Sequence, residues 1–170
     1  MEGRSEFAFE DDEPDVARSA RVARGATLVG AVTVSADASV WPGAVLRGDV
    51  GPVEVGSRAH VGDNAVLHAA TLGEEVMVGH GAVLDDAVVG PGSLVGFNAT
   101  VSSDVTVGAG SLLAAGTVVP DGYEVPPESF VRGVPARVTP LAETGIDAEA
   151  TFAEYSAEYT DLAWRHGELF

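Results

Sequence analysis

The chain of 170 residues carries a formal charge of −17, from 26 Asp and Glu against nine Arg, and it contains neither Lys nor Cys. With no basic patch, nucleic acid is excluded as a partner, and disulfide and thiol chemistry are excluded as well. Acidity without Lys is typical of proteins from a salt-rich cytosol, where mutual repulsion is screened, so we expect a halophilic protein.

Residues 1–15 form an acidic lead without an apolar run. This segment has the character of neither a signal peptide nor a membrane span. We therefore expect a cytoplasmic protein with no membrane partner.

Residues 16–127 carry a Val or Leu at a spacing of six, broken by two intervals of five and one of nine. Neither a helix nor an alternating strand has this period, but a hexapeptide repeat does. Each hexad supplies one short strand and one turn, and three hexads close a triangular coil. The predicted fold is therefore mainly β, a parallel β-helix with these residues pointing inward. They are Val16, Val22, Leu28, Val34, Val40, Leu46, Val55, Val61, Leu67, Leu72, Val78, Leu84, Val89, Val95, Val101, Val107, Leu113, Val119 and Val125.

The coil is predicted to end at residue 127, because Pro126 and Pro127 remove ladder donors. Residues 128–146 form an exit segment, and residues 147–170 contain a C-terminal α-helix that Asp147 can cap and Gly167 can stop. One stripe of this helix is apolar and is expected to pack against the coil or a neighbouring subunit. The stripe consists of Phe152, Tyr155, Tyr159, Leu162 and Ala163.

Equal positions in successive coils stand about 4.8 Å apart and are lateral neighbours. By this spacing Arg47, His68 and Asp85 form one external column. His80 lies on a different side of the prism with Asp63 beneath it. Within one chain His80 should not meet the column, but across a threefold axis the two sides can face each other. The spacing therefore predicts a homotrimer with sites at its interfaces.

Two histidines and one carboxylate are an acceptable ligand set for zinc and for ferrous and related metals. The predicted ligands are His68, His80 and Asp85. In the alternative interpretation the two histidines only decorate an interface and the carboxylate is solvated. The remaining histidines, His60 and His166, have no such support and are interpreted as surface or packing residues.

Three runs are distinctive: VWPGAVLRGD at residues 40–49, DNAVLH at 63–68 and VGHGAVL at 78–84. RGVPAR at 132–137 and SAEY at 156–159 add to them. Together they resemble the γ-class carbonic anhydrases, also called ferripyochelin-binding proteins, of the hexapeptide-repeat superfamily. The similarity covers roughly residues 16–166, although hexapeptide acyltransferases share the RGVPAR type of exit.

The resemblance implies a left-handed coil, a trimer, and an interfacial metal (zinc, or else iron or cobalt) held by three histidines. Two of them map onto His68 and His80, and the third falls at position 85, where this chain has Asp85. A second departure is Gly62, which stands where the family has a glutamine near the metal water.

Three further positions match the family. Arg47, Asp49 and Asp63 correspond to residues that it uses for subunit pairing and for ordering the site. The resemblance thus assigns these three residues to the catalytic machinery.

The implied activity is the reversible hydration of carbon dioxide to bicarbonate. Asp85 reaches roughly 2 Å less far than a histidine, more than zinc tolerates, so the metal shifts or the carboxylate acts through water, and activity is weak or lost. Two alternatives stay open: an acyltransferase that uses a histidine as general base and binds acyl-coenzyme A, and a trimeric scaffold without catalysis.

Overall fold

The computed structural model describes residues 5–170, except for the side chains at positions 149–151, 153 and 154. The first four residues of the predicted acidic lead lie outside this range. The described part contains short strands, one 3-10 turn (Leu141–Glu143) and helix α1 (Ala148–Arg165). The strands are β1 (Ser5–Phe7), β2 (Asp15–Val16), β3 (Arg21–Val22), β4 (Thr27–Val34), β5 (Ser39–Val40), β6 (Val45–Val55), β7 (His60–Val61), β8 (Val66–His68), β9 (Thr71–Leu72), β10 (Met77–Val78), β11 (Val83–Asp85), β12 (Ala87–Val89), β13 (Leu94–Val95), β14 (Thr100–Val101), β15 (Val105–Val107), β16 (Leu112–Leu113), β17 (Val118–Val119), β18 (Glu124–Val125), β19 (Ser129–Arg132) and β20 (Arg137–Pro140).

Parallel pairing stacks these strands into the three faces of a prism. The first face runs through β4, β6, β8, β11, β14 and β17, and the second through β4, β6, β9, β12, β15 and β18. The third face runs through β3, β5, β7, β10, β13, β16 and β19. Strands β4 and β6, with 8 and 11 residues, are long enough to pass around a corner and belong to two faces. The predicted fold class, a left-handed parallel β-helix with a C-terminal helix, is confirmed.

The repeating Val and Leu residues fill the interior of the prism. Every one of them from Val22 to Val125 is at most 3% exposed. Ala44, Ala65 and Ala82, each two positions before a repeat residue, are also buried and leave room for the chain to turn. Because each buried Val or Leu contributes roughly 1.5–3 kcal/mol, this ladder is the main source of stability.

Both ends of the coil are covered by flanking segments. At the N-terminus, β1 pairs with β4, so residues 5–7 of the predicted lead form a strand of the prism. At the other end, the coil continues past the predicted stop at Pro126 and Pro127, because β19 pairs in parallel with β16 and buries Val131. Strand β20 then pairs with β19 in antiparallel fashion. No helix within residues 5–170 has the length and apolar character needed to cross a membrane.

Helix α1 returns along the third face, where it contacts β5 and β7. Of its predicted apolar stripe, Phe152 and Ala163 are buried, whereas Tyr155 is exposed at the edge of the helix. The helix therefore packs against the coil of its own chain, and one flank of the stripe stays accessible.

Candidate metal site

The predicted external column is present at the end of the first face. The strand register places Arg47 beside His68, and His68 beside Asp85. Each of these residues follows a buried Leu, and because successive side chains of a strand point to opposite faces, all three point outward.

Asp85 is bonded through both of its carboxylate oxygens. The Nδ1 atom of His68 lies 2.7 Å from Oδ1 of Asp85, and the hydroxyl of Ser103 donates to Oδ2 at 2.9 Å. The hydrogen bonds from His68 and then from Ser103 lower the pKa of Asp85. Because an ionised carboxylate only accepts, Nδ1 of His68 carries a proton.

A bulge in β6 brings Asp49 to the other nitrogen of His68. The register of β4 and β6 jumps from Gly30↔Gly48 to Val32↔Val53, so residues 49–52 have no partner in β4. Oδ1 of Asp49 lies 3.2 Å from Nε2 of His68. The neutral ring cannot donate to Asp49, because its proton is on Nδ1, whereas the doubly protonated ring donates to both carboxylates.

Arg47 stands beside the same nitrogen. Its Nη2 lies 3.4 Å from Nε2 of His68, and its Nε lies 3.3 Å from Oδ2 of Asp49. The guanidinium can donate weakly to the Nε2 of a neutral imidazole. It would have to withdraw from this position before a cation could approach the ring.

His80 lies in the turn after β10, directly above Asp63 in the turn after β7. Its Nδ1 is 2.8 Å from Oδ2 of Asp63 and 3.0 Å from the backbone nitrogen of the same residue. The backbone N–H can only donate, which favours an accepting Nδ1 with the ring proton on Nε2, whereas the carboxylate favours a proton on Nδ1. A metal bound to Nε2 would select the second state. Nε2 of His80 has no hydrogen-bonding partner among the described side chains.

The surroundings of His80 are apolar. Its ring stacks on Phe97, with centroids 5.2 Å apart and planes inclined by 7°. A cavity of about 310 Å³ lies beside it, lined mainly by apolar side chains that include Trp41, Tyr155 and Tyr159.

Gly62 lies directly against the ring of His80. A Cβ at position 62 would stand 2.9 Å from Nδ1 of His80 and 2.8 Å from the carbonyl oxygen of Val78. The missing side chain therefore lets the imidazole lie close to the backbone of the coil below.

The predicted site residues thus occupy two separate corners. Arg47, Asp49 and Asp85 surround His68, whereas Asp63 holds His80. Among the side chains that the structure describes, no three His, Cys, Asp or Glu residues converge as a metal-binding group.

The donor chemistry nevertheless fits a metal that is shared between two chains. Each of His68 and His80 has its Nδ1 against a carboxylate of its own chain, at 2.7 and 2.8 Å, which leaves Nε2 as the possible ligand. Metal-binding histidines usually show this arrangement, because the carboxylate fixes the tautomer and the orientation of the ring.

Ser103 is the residue of this site that sequence reasoning missed. The spacing predicts that the next member of the column of Arg47, His68 and Asp85 is Ser102, because Ser102 follows Val101. It does not predict Ser103. The hydroxyl of Ser103 reaches Asp85 from the turn between β14 and β15. Spacing alone could not find a side chain that joins a column from the neighbouring position of a turn.

His60, interpreted from the sequence as a surface or packing residue, is a packing residue with 1% exposure. The hydroxyl of Ser39 lies 2.6 Å from its Nδ1 and in turn accepts from Nε1 of Trp41 at 2.8 Å. Nε2 of His60 donates to the carbonyl oxygen of Ser156 in helix α1 at 3.1 Å. Burial lowers the pKa of His60 to about 4.

Comparison with known proteins relates this geometry to a family. No protein-family model matches the chain. The chain is 34% identical over 168 residues to gamma carbonic anhydrase 1, mitochondrial, of Arabidopsis thaliana, covering 92% of this chain and 60% of that protein. It is 37% identical over 128 residues to a "Probable carbonic anhydrase" of Methanocaldococcus jannaschii, covering 72% of this chain and 80% of that protein.

Among solved structures, a hexapeptide transferase family protein from Anaplasma phagocytophilum superposes with a TM-score of 0.91 at 28% identity. The alignment covers 95% of this chain and 98% of that one, which makes this chain a hexapeptide-repeat β-helix protein. Within that class, it belongs to the γ-class carbonic anhydrase family. The chain spans 60% and 59% of the length of its two Arabidopsis relatives.

Proposed function

We propose that the chain forms a homotrimer that binds a divalent metal between subunits and catalyses the reversible hydration of carbon dioxide to bicarbonate. His68 of one subunit and the partner subunit's His80 would hold the metal. The observation that carries this proposal is that the two imidazole rings are held in the same way. Each has its Nδ1 beside a carboxylate of its own chain, so Nε2 is the nitrogen that could bind a metal, in His68 once Arg47 and Asp49 withdraw from it.

A second copy of the chain is needed because the two histidines lie on different corners of the prism. Exposed apolar side chains lie beside both corners: Val83 on β11 is 38% exposed, and Phe97 against His80 is 55% exposed. At the His80 corner, Phe97 and the exposed Tyr155 border one cavity, and grouped exposed apolar side chains are typical of interfaces, which supports burial of this corner between subunits.

A bound divalent metal would lower the pKa of a water molecule toward ~7 and so supply hydroxide at neutral pH. The other tasks fall to the chain itself. Arg47, oriented by Asp49, would move aside from Nε2 of His68 when a metal binds and remain a neighbouring cation that can hold the bicarbonate anion. Asp63 fixes the tautomer and orientation of His80. We expect zinc, with iron or cobalt as alternatives, and weak activity because Asp85 replaces the third histidine of the family.

The test is stopped-flow carbon dioxide hydration on protein reconstituted with zinc or cobalt, together with metal analysis and light scattering for oligomeric state. We expect a trimer that retains metal, and His68→Gln and His80→Gln variants that lose metal and activity. His166→Gln is the matched control, because His166 is exposed at the end of α1 and contacts only Trp41 among the described aromatic rings. A monomer, or full metal retention by both site variants, would contradict the proposal.

An acyltransferase is the second candidate, supported by the hexapeptide transferase neighbour and by the apolar cavity beside His80. Arg132 and Arg137 at the end of the coil are exposed and could bind the phosphates of coenzyme A. Calorimetric titration with acetyl-coenzyme A distinguishes the two functions. We expect no binding, and micromolar affinity would favour the transferase.

We also propose a salt-rich cytoplasm as the working environment. The charge of −17 is carried without any Lys, and mutual repulsion weakens as salt is added. The thermal midpoint of unfolding should therefore rise as potassium chloride increases from tens of millimolar toward molar concentration. A midpoint that stays constant or falls would argue against salt adaptation.

A further inference from the structure

We infer that Asp85 and Ser103 act as positioning residues for His68, and that Asp85 is not itself a metal ligand. This inference rests on the proposed function, since it concerns how the same site holds its metal. It assigns a role to Ser103, and it reduces the protein ligands of each metal to two imidazole nitrogens.

The carboxylate of Asp85 is already occupied on both sides. Oδ1 accepts from Nδ1 of His68 at 2.7 Å, and Oδ2 accepts from the hydroxyl of Ser103 at 2.9 Å. Each oxygen keeps a second lone pair, but the two hydrogen bonds hold the carboxylate toward Nδ1 of His68 and the hydroxyl of Ser103, so that ligation would require it to turn out of this alignment.

The position of Asp85 also separates it from the nitrogen that can bind. Strand register places Asp85 directly beside His68 in the next coil, so its short side chain reaches the near nitrogen of the ring, Nδ1. The lone pair of Nε2 lies on the far side of the imidazole. A metal bound to Nε2 would therefore have the ring between itself and this carboxylate.

Ser103 gives the arrangement its rigidity. Its hydroxyl reaches Oδ2 from the turn between β14 and β15, one coil further on, and opposes rotation of the carboxylate away from His68. Partners of this kind keep a histidine in one tautomer, and their loss typically weakens metal binding by about 10–100-fold.

The first experiment needs no metal. Long-range nitrogen–proton correlation spectra of metal-free protein at neutral pH report which nitrogen of His68 carries the proton. We expect the Nδ1–H tautomer in the wild type, and a mixture of tautomers in Asp85→Ala. A wild type with its proton on Nε2 would overturn the inference, whether or not the protein binds metal.

The second experiment separates a positioning role from direct ligation by titrating zinc or cobalt into the variants. If Asp85 positions His68, Ser103→Ala weakens binding several-fold, because the carboxylate becomes free to turn. If the hydroxyl of Ser103 does not hold the carboxylate, binding is unchanged in Ser103→Ala. That result would overturn the inference.

Asp85→Asn is the conservative control. Its amide oxygen can still accept from Nδ1 of His68 but is a poor metal ligand, so a positioning role predicts affinity within about tenfold of the wild type, well above that of Asp85→Ala. Equal losses in the two variants would indicate direct ligation. If the wild type binds no metal, the proposed function fails, and the tautomer spectra alone decide the role of Asp85.

Discussion

His60 and His68 lie on neighbouring faces of one coil, in opposite environments. His60 is 1% exposed and has neutral partners, the hydroxyl of Ser39 and a backbone carbonyl of helix α1. The side chain of His68 is 26% exposed and lies between the carboxylates of Asp85 and Asp49. The first ring stays neutral and attaches the helix to the coil. The second lies among charged groups, and its Nε2 is the nitrogen that we propose as a metal ligand.

The comparison shows that the side chains in the coils above and below a residue decide its role. Both histidines stand next to an inward residue of the hexapeptide repeat, and both therefore point outward from the prism. A carboxylate stacked against the ring suits it to a site, whereas a helix placed over the ring makes it part of the core.

The largest effect should come from His60→Ala, which removes the buried link between α1 and the third face. We expect the free energy of unfolding to fall by about 3–4 kcal/mol, because the change leaves a cavity and unpaired polar groups. Urea denaturation measures this loss, and His166→Ala, at an exposed position, is the control. A loss below about 1 kcal/mol would show that the buried ring does not hold the helix.

Acid should weaken the same link. The pKa of His60 is about 4 in the folded chain, below its ordinary value of 6.5, because burial disfavours the charged ring. The unfolded chain therefore binds the proton first, and stability falls as pH drops from about 6.5 to about 4, by about 3 kcal/mol at most.

The measurement is the pH dependence of urea unfolding for the wild type and for His60→Asn, which carries no titrating ring. The difference in the free energy of unfolding between the two proteins should change with pH only between about 6.5 and about 4, because all other titrating groups contribute equally to both. Parallel curves would mean that His60 titrates normally in the folded chain.

Ser39→Ala should have the next largest effect. It removes the hydroxyl that lies between Nδ1 of His60 and Nε1 of Trp41, and both are buried. An unsatisfied buried group costs about 1–3 kcal/mol, so we expect a loss of about 2 kcal/mol in thermal or urea unfolding. Ser103→Ala is the matched hydroxyl deletion at His68 and should change stability by less than about 0.5 kcal/mol, because its partner is partly exposed.

Asp85→His should have the smallest effect on stability but should strengthen metal binding. The change removes the carboxylate that positions His68, but its longer imidazole can reach past that ring as the third histidine of the family. We expect the added ligand to outweigh the lost hydrogen bond, with about tenfold tighter zinc binding and faster carbon dioxide hydration. Calorimetry and stopped-flow measurements test this prediction. Asp86→His, on the exposed neighbouring residue, is the control and should leave both quantities at the wild-type level.

Much of the fold was predictable because its information is local and repeated. One inward Val or Leu in each hexad is enough to predict a coil and its core, but not that β19 continues the third face beyond Pro126 and Pro127. The same spacing predicted that Arg47, His68 and Asp85 share a column and that His80 lies elsewhere. The roles assigned to these residues, the metal and the trimer are still predictions.

The sequence by itself therefore determined the coil, its buried ladder and the external columns, since a constant period translates directly into stacked neighbours. Only the tertiary structure decided that a bulge carries Asp49 to His68, that Ser103 reaches Asp85 from a turn, and that α1 covers His60. These contacts depend on how turns aim their side chains and on where a distant helix packs. Neither the direction of a side chain in a turn nor the packing position of the helix recurs along the chain, so no repeat in the sequence reveals them.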